Sequence, residues 1–171
     1  IAHNQNTGRQ DRSGEHMKFV SKEDIEAPIA EVFAVVSEFE NFERSAIRRG
    51  VEVHRMGDVA APDNGLAWDV QFSFRGKTRD IHLVLTDYDP VTGMHLSAEG
   101  GGVDGGMDIE LLALSPQRTR MVATLELKPR TLSGRLLVQS LKLAKSKLTK
   151  RYKLRVAEFA KLTEERLSRT A

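Results

Sequence analysis

The alternation of bulky and polar positions is clearest at residues 66–74, LAWDVQFSF, where Leu66, Trp68, Val70, Phe72 and Phe74 are separated by Ala67, Asp69, Gln71 and Ser73. A period of two places the large side chains on one face of a β-strand. The Arg75-Gly76 turn predicts a hairpin into a second strand with Ile81, Leu83 and Leu85 on its apolar face, closed by Asp87-Tyr88-Asp89-Pro90 and Gly93. Alternation recurs at Met94, Leu96 and Ala98, breaks at GGGVDGG (100–106), resumes at Met107, Ile109, Leu111 and Ala113, and recurs at Met121, Ala123, Leu125 and Leu127 before Lys128-Pro129. With a strand over Met17–Glu26 and another around Val51 and Val53, an antiparallel sheet of about seven strands is expected.

Two stretches change period. After Ala27-Pro28, which suits a helix start, Ile29, Val32, Phe33, Val36 and Phe39 step by three or four residues, and Phe42 and Ile47 continue into a second short helix that Gly50 can end. After Pro129, the positions Leu137, Leu141, Ala144, Leu148, Tyr152, Val156, Phe159 and Leu162 keep the same step with no glycine or proline after Gly134. This predicts one uninterrupted helix of about 30 residues, roughly 45 Å long, enough to cross a whole sheet. Residues 1–16 hold only Ile1 and Ala2 as apolar side chains and cannot offset their ordering entropy by burial. They are expected to be a disordered tail or an appended segment, with Met17 the natural start of a single domain over 17–167.

Composition narrows the chemistry. The 40% apolar and 29% charged residues are ordinary globular values, and the absence of cysteine excludes disulfides, thiolate nucleophiles and iron–sulfur clusters. No apolar run reaches the 18 or so residues of a membrane helix and the start lacks a signal-peptide stretch, so a cytoplasmic location is expected. There is no GxSxG, no HExxH and no acidic pair at a metal-ligand spacing, so neither a metal nor another cofactor is expected. His54, His82 and His95 fall opposite the apolar set of their strands and point to solvent, as do Asp69, Gln71, Glu99 and Glu110. GGGVDGG holds five glycines in seven positions but no GK[ST] follows. It reads as a wide flexible turn at a sheet edge, with gating of a pocket mouth as its functional alternative.

The order strand, two short helices, further antiparallel strands and a long carboxy-terminal helix is that of a helix-grip α+β fold. The run IEAPIAEVFAVVSEFENFERS (25–45) resembles the opening of the START-like (SRPBCC) polyketide cyclase/dehydrase and lipid-transport superfamily, and TRMVATLELKPRTLSGRLLVQSL (119–141) resembles its last strand and helix start. The resemblance covers 17–167. It implies a shape, not a shared catalytic set, since its members include cyclases as well as quinone-, lipid- and hormone-binding proteins.

A curved sheet around an amphipathic helix leaves a space wherever inward side chains do not fill it. Trp68, Phe72, Phe74, Leu83, Leu85, Leu96, Ile109, Met121 and Leu125 are expected to face Leu137, Leu141, Leu148 and Tyr152, either as plain core or as the lining of a site for a lipid, isoprenoid quinone or polyketide. Methionines 94, 107 and 121 would make such a wall adaptable, and Tyr152 is the one polar tip expected inside. Cyclase or dehydrase chemistry on a polyketide-like chain is the alternative, working by shaping and proton transfer. An interaction domain with a filled core, monomeric or homodimeric, is the third. The total charge of +2 hides an asymmetry, with 11 basic against 3 acidic residues from 131 onward and 15 against 21 before it. Lys142, Lys145, Lys147, Lys150, Arg151, Lys153 and Arg155 are uninterrupted by any acidic residue. They read as a solvated face, or as a contact for an anionic membrane through Lys142, Lys145, Lys150 and Lys153. With 6% aromatic residues and no recognition motif, nucleic acid is not expected as a partner.

Overall fold

A computed structural model describes residues 15–170. Residues 1–14 of the expected tail lie outside the described residues, whereas Glu15 and His16 are docked, Glu15 Oε1 lying 3.1 Å from Arg135 Nε and His16 Nδ1 3.6 Å from Glu126 Oε1. The elements are β1 (Met17–Ile25), α1 (Ile29–Val36), α2 (Phe39–Arg48), β2 (Glu52–Met56), β3 (Ala67–Phe74), β4 (Lys77–Asp89), β5 (Gly93–Gly100), β6 (Val103–Ser115), β7 (Arg118–Pro129), α3 (Leu132–Leu143) and α4 (Lys145–Thr170).

One seven-stranded antiparallel sheet runs in the order β1-β7-β6-β5-β4-β3-β2. Strands β2 to β7 form a meander of sequential neighbours, and the α1–α2 connection carries the chain from β1 at one edge to β2 at the other. Register aligns the large inward residues in rows, Leu85 opposite Leu96, Leu96 opposite Met107, and Met107 opposite Leu125. α1 buries Val32, Phe33, Val35 and Val36. Phe39, expected on the α1 stripe, instead opens α2, where its ring lies 5.6 Å from Trp68 and 6.4 Å from Tyr88.

The carboxy-terminal helix is two helices, not the single rod its periodicity predicts. Ala144 leaves helical geometry at φ −105°, ψ 16°, and its N–H bonds to Leu141 O at 3.0 Å. Alanine has no aversion to a helix, so the cause is packing. Val138 of α3, with Leu141 beside it, joins Met17 and Phe19 in one apolar cluster, while Val156 and Ala160 of α4 join Ile25, Phe33 and Met121 in another. An unbroken helix over 132–170 would be a straight rod of roughly 58 Å, and a twisted, curved sheet cannot meet it along its whole length.

The glycine-rich segment also differs from expectation. Val103 to Gly106 belong to β6, and the connection is a tight hairpin at Gly101 and Gly102, both at positive φ (59° and 76°), the two-residue turn that left-handed glycines permit. It lies inside the strand order, and Gly102 O accepts the N–H groups of Arg130 at 2.8 Å and Thr131 at 3.2 Å. It is locked beneath the start of α3, and neither Gly101 nor Gly102 is among the residues lining the cavity between the sheet and α4. Thr131 completes the joint by accepting Gly134 N–H at 3.1 Å as the helix cap.

Candidate functional site

The concave face of the sheet, α2 and α4 leave between them a cavity of about 500 Å³. Its floor is Leu83, Met94, Leu96, Met107, Ile109, Met121 and Ala123, its roof Tyr152, Arg155, Val156 and Phe159, and its remaining walls Val36, Phe39, Phe42, Glu43 and Ala46 together with Val53, Trp68 and Val70 near the free sheet edge. That volume falls within the roughly 300–1,000 Å³ of sites for small organic ligands. All three methionines singled out by alternation are in the floor, presenting polarisable and flexible side chains.

Of the residues expected to face one another, Trp68, Leu83, Leu96, Ile109, Met121 and Tyr152 line the cavity. Leu85 is buried in the surrounding core, and Leu125, Leu141 and Leu148 pack into the separate cluster under α3, where Leu137 is half-buried. Phe72 and Phe74 carry the same parity as Trp68 but lie past the cavity toward the β3–β4 turn. Phe74 is 37% exposed, with the guanidinium groups of Arg75 and Arg79 at 5.3 and 5.9 Å from its ring centre. Arg75 Nη1 donates to Ser140 Oγ at 2.7 Å, tying that turn to α3.

Three side chains bring polar heads to the wall. The Tyr152 ring lies 5.6 Å from that of Phe19, tilted by 44°, and its hydroxyl donates to Ala123 O at 2.8 Å. Burial pushes the phenol up to about 12, because the phenolate would have to form away from water. Glu43 accepts from Trp68 Nε1 at 3.2 Å and lies 3.2 Å from Arg55 Nη1. Arg155 stands at the opening and is exposed. Neither Glu43 nor the α2 side of the cavity follows from strand alternation, since α2 approaches the sheet from its far edge. Phe42 and Phe159, by contrast, both stand on helical apolar stripes, and their rings meet at 5.8 Å across the gap between α2 and α4. The same two helices are joined by Arg166, whose two guanidinium nitrogens donate to the Glu38 carboxylate at 2.6 and 2.7 Å and hold it below the usual carboxylate range.

His82 and His95 lie on the outer face, each beside an aspartate on the neighbouring strand, Asp69 at 2.7 Å and Asp108 at 2.6 Å. Among the described residues no group of three or more His, Asp or Glu is placed to hold a metal ion. No helix among them is long and apolar enough to cross a membrane. The cavity offers shape, an apolar wall and two polar groups already engaged with protein partners.

The fold is similar to that of the ZhuI aromatase/cyclase from Streptomyces sp. R1128, with a TM-score of 0.65 at 14% identity over 89% of this chain and 96% of that one. A protein from Thermus thermophilus matches with a TM-score of 0.60 at 16% identity, over 91% and 99% of the two chains. A norcoclaurine synthase point mutant from Thalictrum flavum, bound to a transition-state analogue, matches with a TM-score of 0.57 at 15% identity, over 88% and 96%. At these identities the likeness is one of fold. No curated protein matches the sequence. The family described as polyketide cyclase/dehydrase and lipid transport matches over residues 16–164, and to that family this chain belongs.

Proposed function

We propose that the chain binds a hydrophobic small molecule, a lipid, isoprenoid quinone or polyketide, in the space between the sheet and α4. The observation that carries this reading is the wall itself: around about 500 Å³, Glu43, Tyr152 and Arg155 are the charged or hydroxyl-bearing side chains among the described residues, beside some sixteen apolar or aromatic neighbours. Burial of an apolar body there gains roughly 25 cal/mol per Å² removed from water. A filled core would leave no such space. Cyclase-type turnover would need a wall group ready to exchange a proton, and the Tyr152 hydroxyl is committed to Ala123 O while Glu43 is ion-paired with Arg55 and bonded by Trp68 through Oε1. Binding, as transport or sensing, is therefore the reading preferred to catalysis.

The test is native mass spectrometry of protein purified from its own host, followed by extraction of any co-purifying molecule. A stoichiometric apolar adduct is expected, and it should be lost in Leu96→Phe, which fills the floor, while the thermal melt stays cooperative. A clean apo mass, with Trp68 fluorescence unmoved by fatty acids, quinones and polycyclic aromatics, would sink the proposal.

A second proposal concerns the source of the ligand. Leu132, Leu136 and Leu143 share one face of α3 and are 71%, 59% and 91% exposed, and beyond them Lys145, Lys147, Lys150 and Lys153 are exposed on α4. Apolar anchors flanked by cations suit an anionic bilayer surface, and vesicle binding that weakens with salt is its test.

A further inference from the structure

Arg155 is a cation at the rim of an apolar space. It lines the cavity beside Val156 and Phe159, and among the described residues it makes no hydrogen bond, ion pair or ring contact. Glu43 lines the same cavity, but its Oε1 is turned to Trp68 and Arg55, and no ion pair joins it to Arg155. Arg151, one turn earlier on the same side of α4, adds positive charge, and no acidic residue lies between Lys142 and Arg155. Arg155 thus brings a positive charge without a protein partner among the described residues to the edge of an apolar space.

A guanidinium presents a planar fork of donors that matches a carboxylate or phosphate bidentately. In open water this is worth little. An apolar body entering between Trp68 and Tyr152 would displace water from the rim, and the interaction strengthens as the local dielectric falls. We infer that the ligand is an amphiphile with a single anionic head, received by Arg155 at the mouth while its hydrocarbon body fills the cavity. The inference rests on the ligand-binding reading proposed above and adds the head group to it.

Trp68 is the sole tryptophan of the chain and lines the cavity, so its fluorescence reports occupancy directly. Dodecanoate, dodecyl phosphate and dodecan-1-ol share one tail and differ in the head. At least one of the two anions should bind about tenfold or more tightly than the alcohol, as a charge-assisted pair at a partly dry site implies; which anion does so distinguishes carboxylate from phosphate. Arg155→Gln should erase that preference and leave the alcohol's affinity unchanged, Arg155→Lys should keep part of it, and Lys147→Gln should keep all of it. Equal affinity for acid, phosphate and alcohol in the wild-type protein would overturn the anionic head while leaving ligand binding intact. Loss of the preference in Lys147→Gln as complete as in Arg155→Gln would assign the effect to the general field of α4 and overturn the seat at Arg155. Failure of all three molecules to bind would overturn both readings.

Discussion

With its hydroxyl donating to a strand carbonyl and its ring against Phe19, Tyr152 is held protonated well beyond the pH at which an unfolded tyrosine ionises. Its folded-state pKa of about 12 lies above the roughly 10 of a free phenol, so the unfolded chain releases its proton first. The associated stability is complete below pH 10 and is lost as pH rises from about 10 through 12. Urea unfolding across that range should show the decline, and Tyr152→Phe should flatten it while costing about 1 kcal/mol at neutral pH for the lost hydrogen bond. An equal alkaline slope in the variant would show that another group carries the titration. Single residues also mark how far alternation can be read. Trp68 and Phe74 share a parity and a strand, yet Trp68 is 5% exposed and Phe74 is 37% exposed. A period of two reports the face of a side chain but not its distance from the helix that covers it.

At the scale of elements, the pattern that located every strand and both amino-terminal helices missed the break at Ala144, because a break made by packing leaves no proline or glycine behind. The tight hairpin at Gly101-Gly102 was hidden for the opposite reason: a run of glycines looks mobile, although here a carbonyl and two positive φ angles fix it. A Cβ added at Gly102 would lie 1.9 Å from Thr131 Oγ1. Gly102→Ala should therefore strain the turn and dislodge the cap of α3, destabilising the protein by about 2 kcal/mol or more. Equilibrium denaturation measures it, and Gly101→Ala serves as the comparison, since its added Cβ meets nothing within 4 Å and only the positive φ remains as a cost. If both variants lose the same stability, contact with the cap contributes nothing.

For the molecule as a whole, the separation of charge legible in the sequence becomes spatial: an acidic sheet and a basic helical cover with exposed leucines at one end. If this end meets membranes, binding to anionic vesicles should fall several-fold between low and physiological salt, since the lysines act through a field screened over about 8–10 Å. Leu143→Glu should weaken binding at every salt concentration. Attachment equal for neutral and anionic vesicles, and indifferent to salt, would remove the proposal. The cavity itself was only half legible, because its floor comes from strands whose alternation is plain while its far wall comes from α2, whose approach is decided by tertiary packing on Trp68 and Tyr88.

The strand order also governs how the protein comes into being. β1 is made before the other described elements yet pairs along its whole length with β7, Met17 opposite Leu127 and Ile25 opposite Thr119. The intervening meander can form hairpin by hairpin, but its first strand must wait for its last. Throughout that interval the concave face is uncovered and β1 has no partner strand, a template for another chain. α4, which follows β7 and α3 in the chain, then closes over the apolar face. The chain is thus most aggregation-prone before α4 packs, and a hydrophobic molecule present at that stage can be enclosed as the helix closes over it.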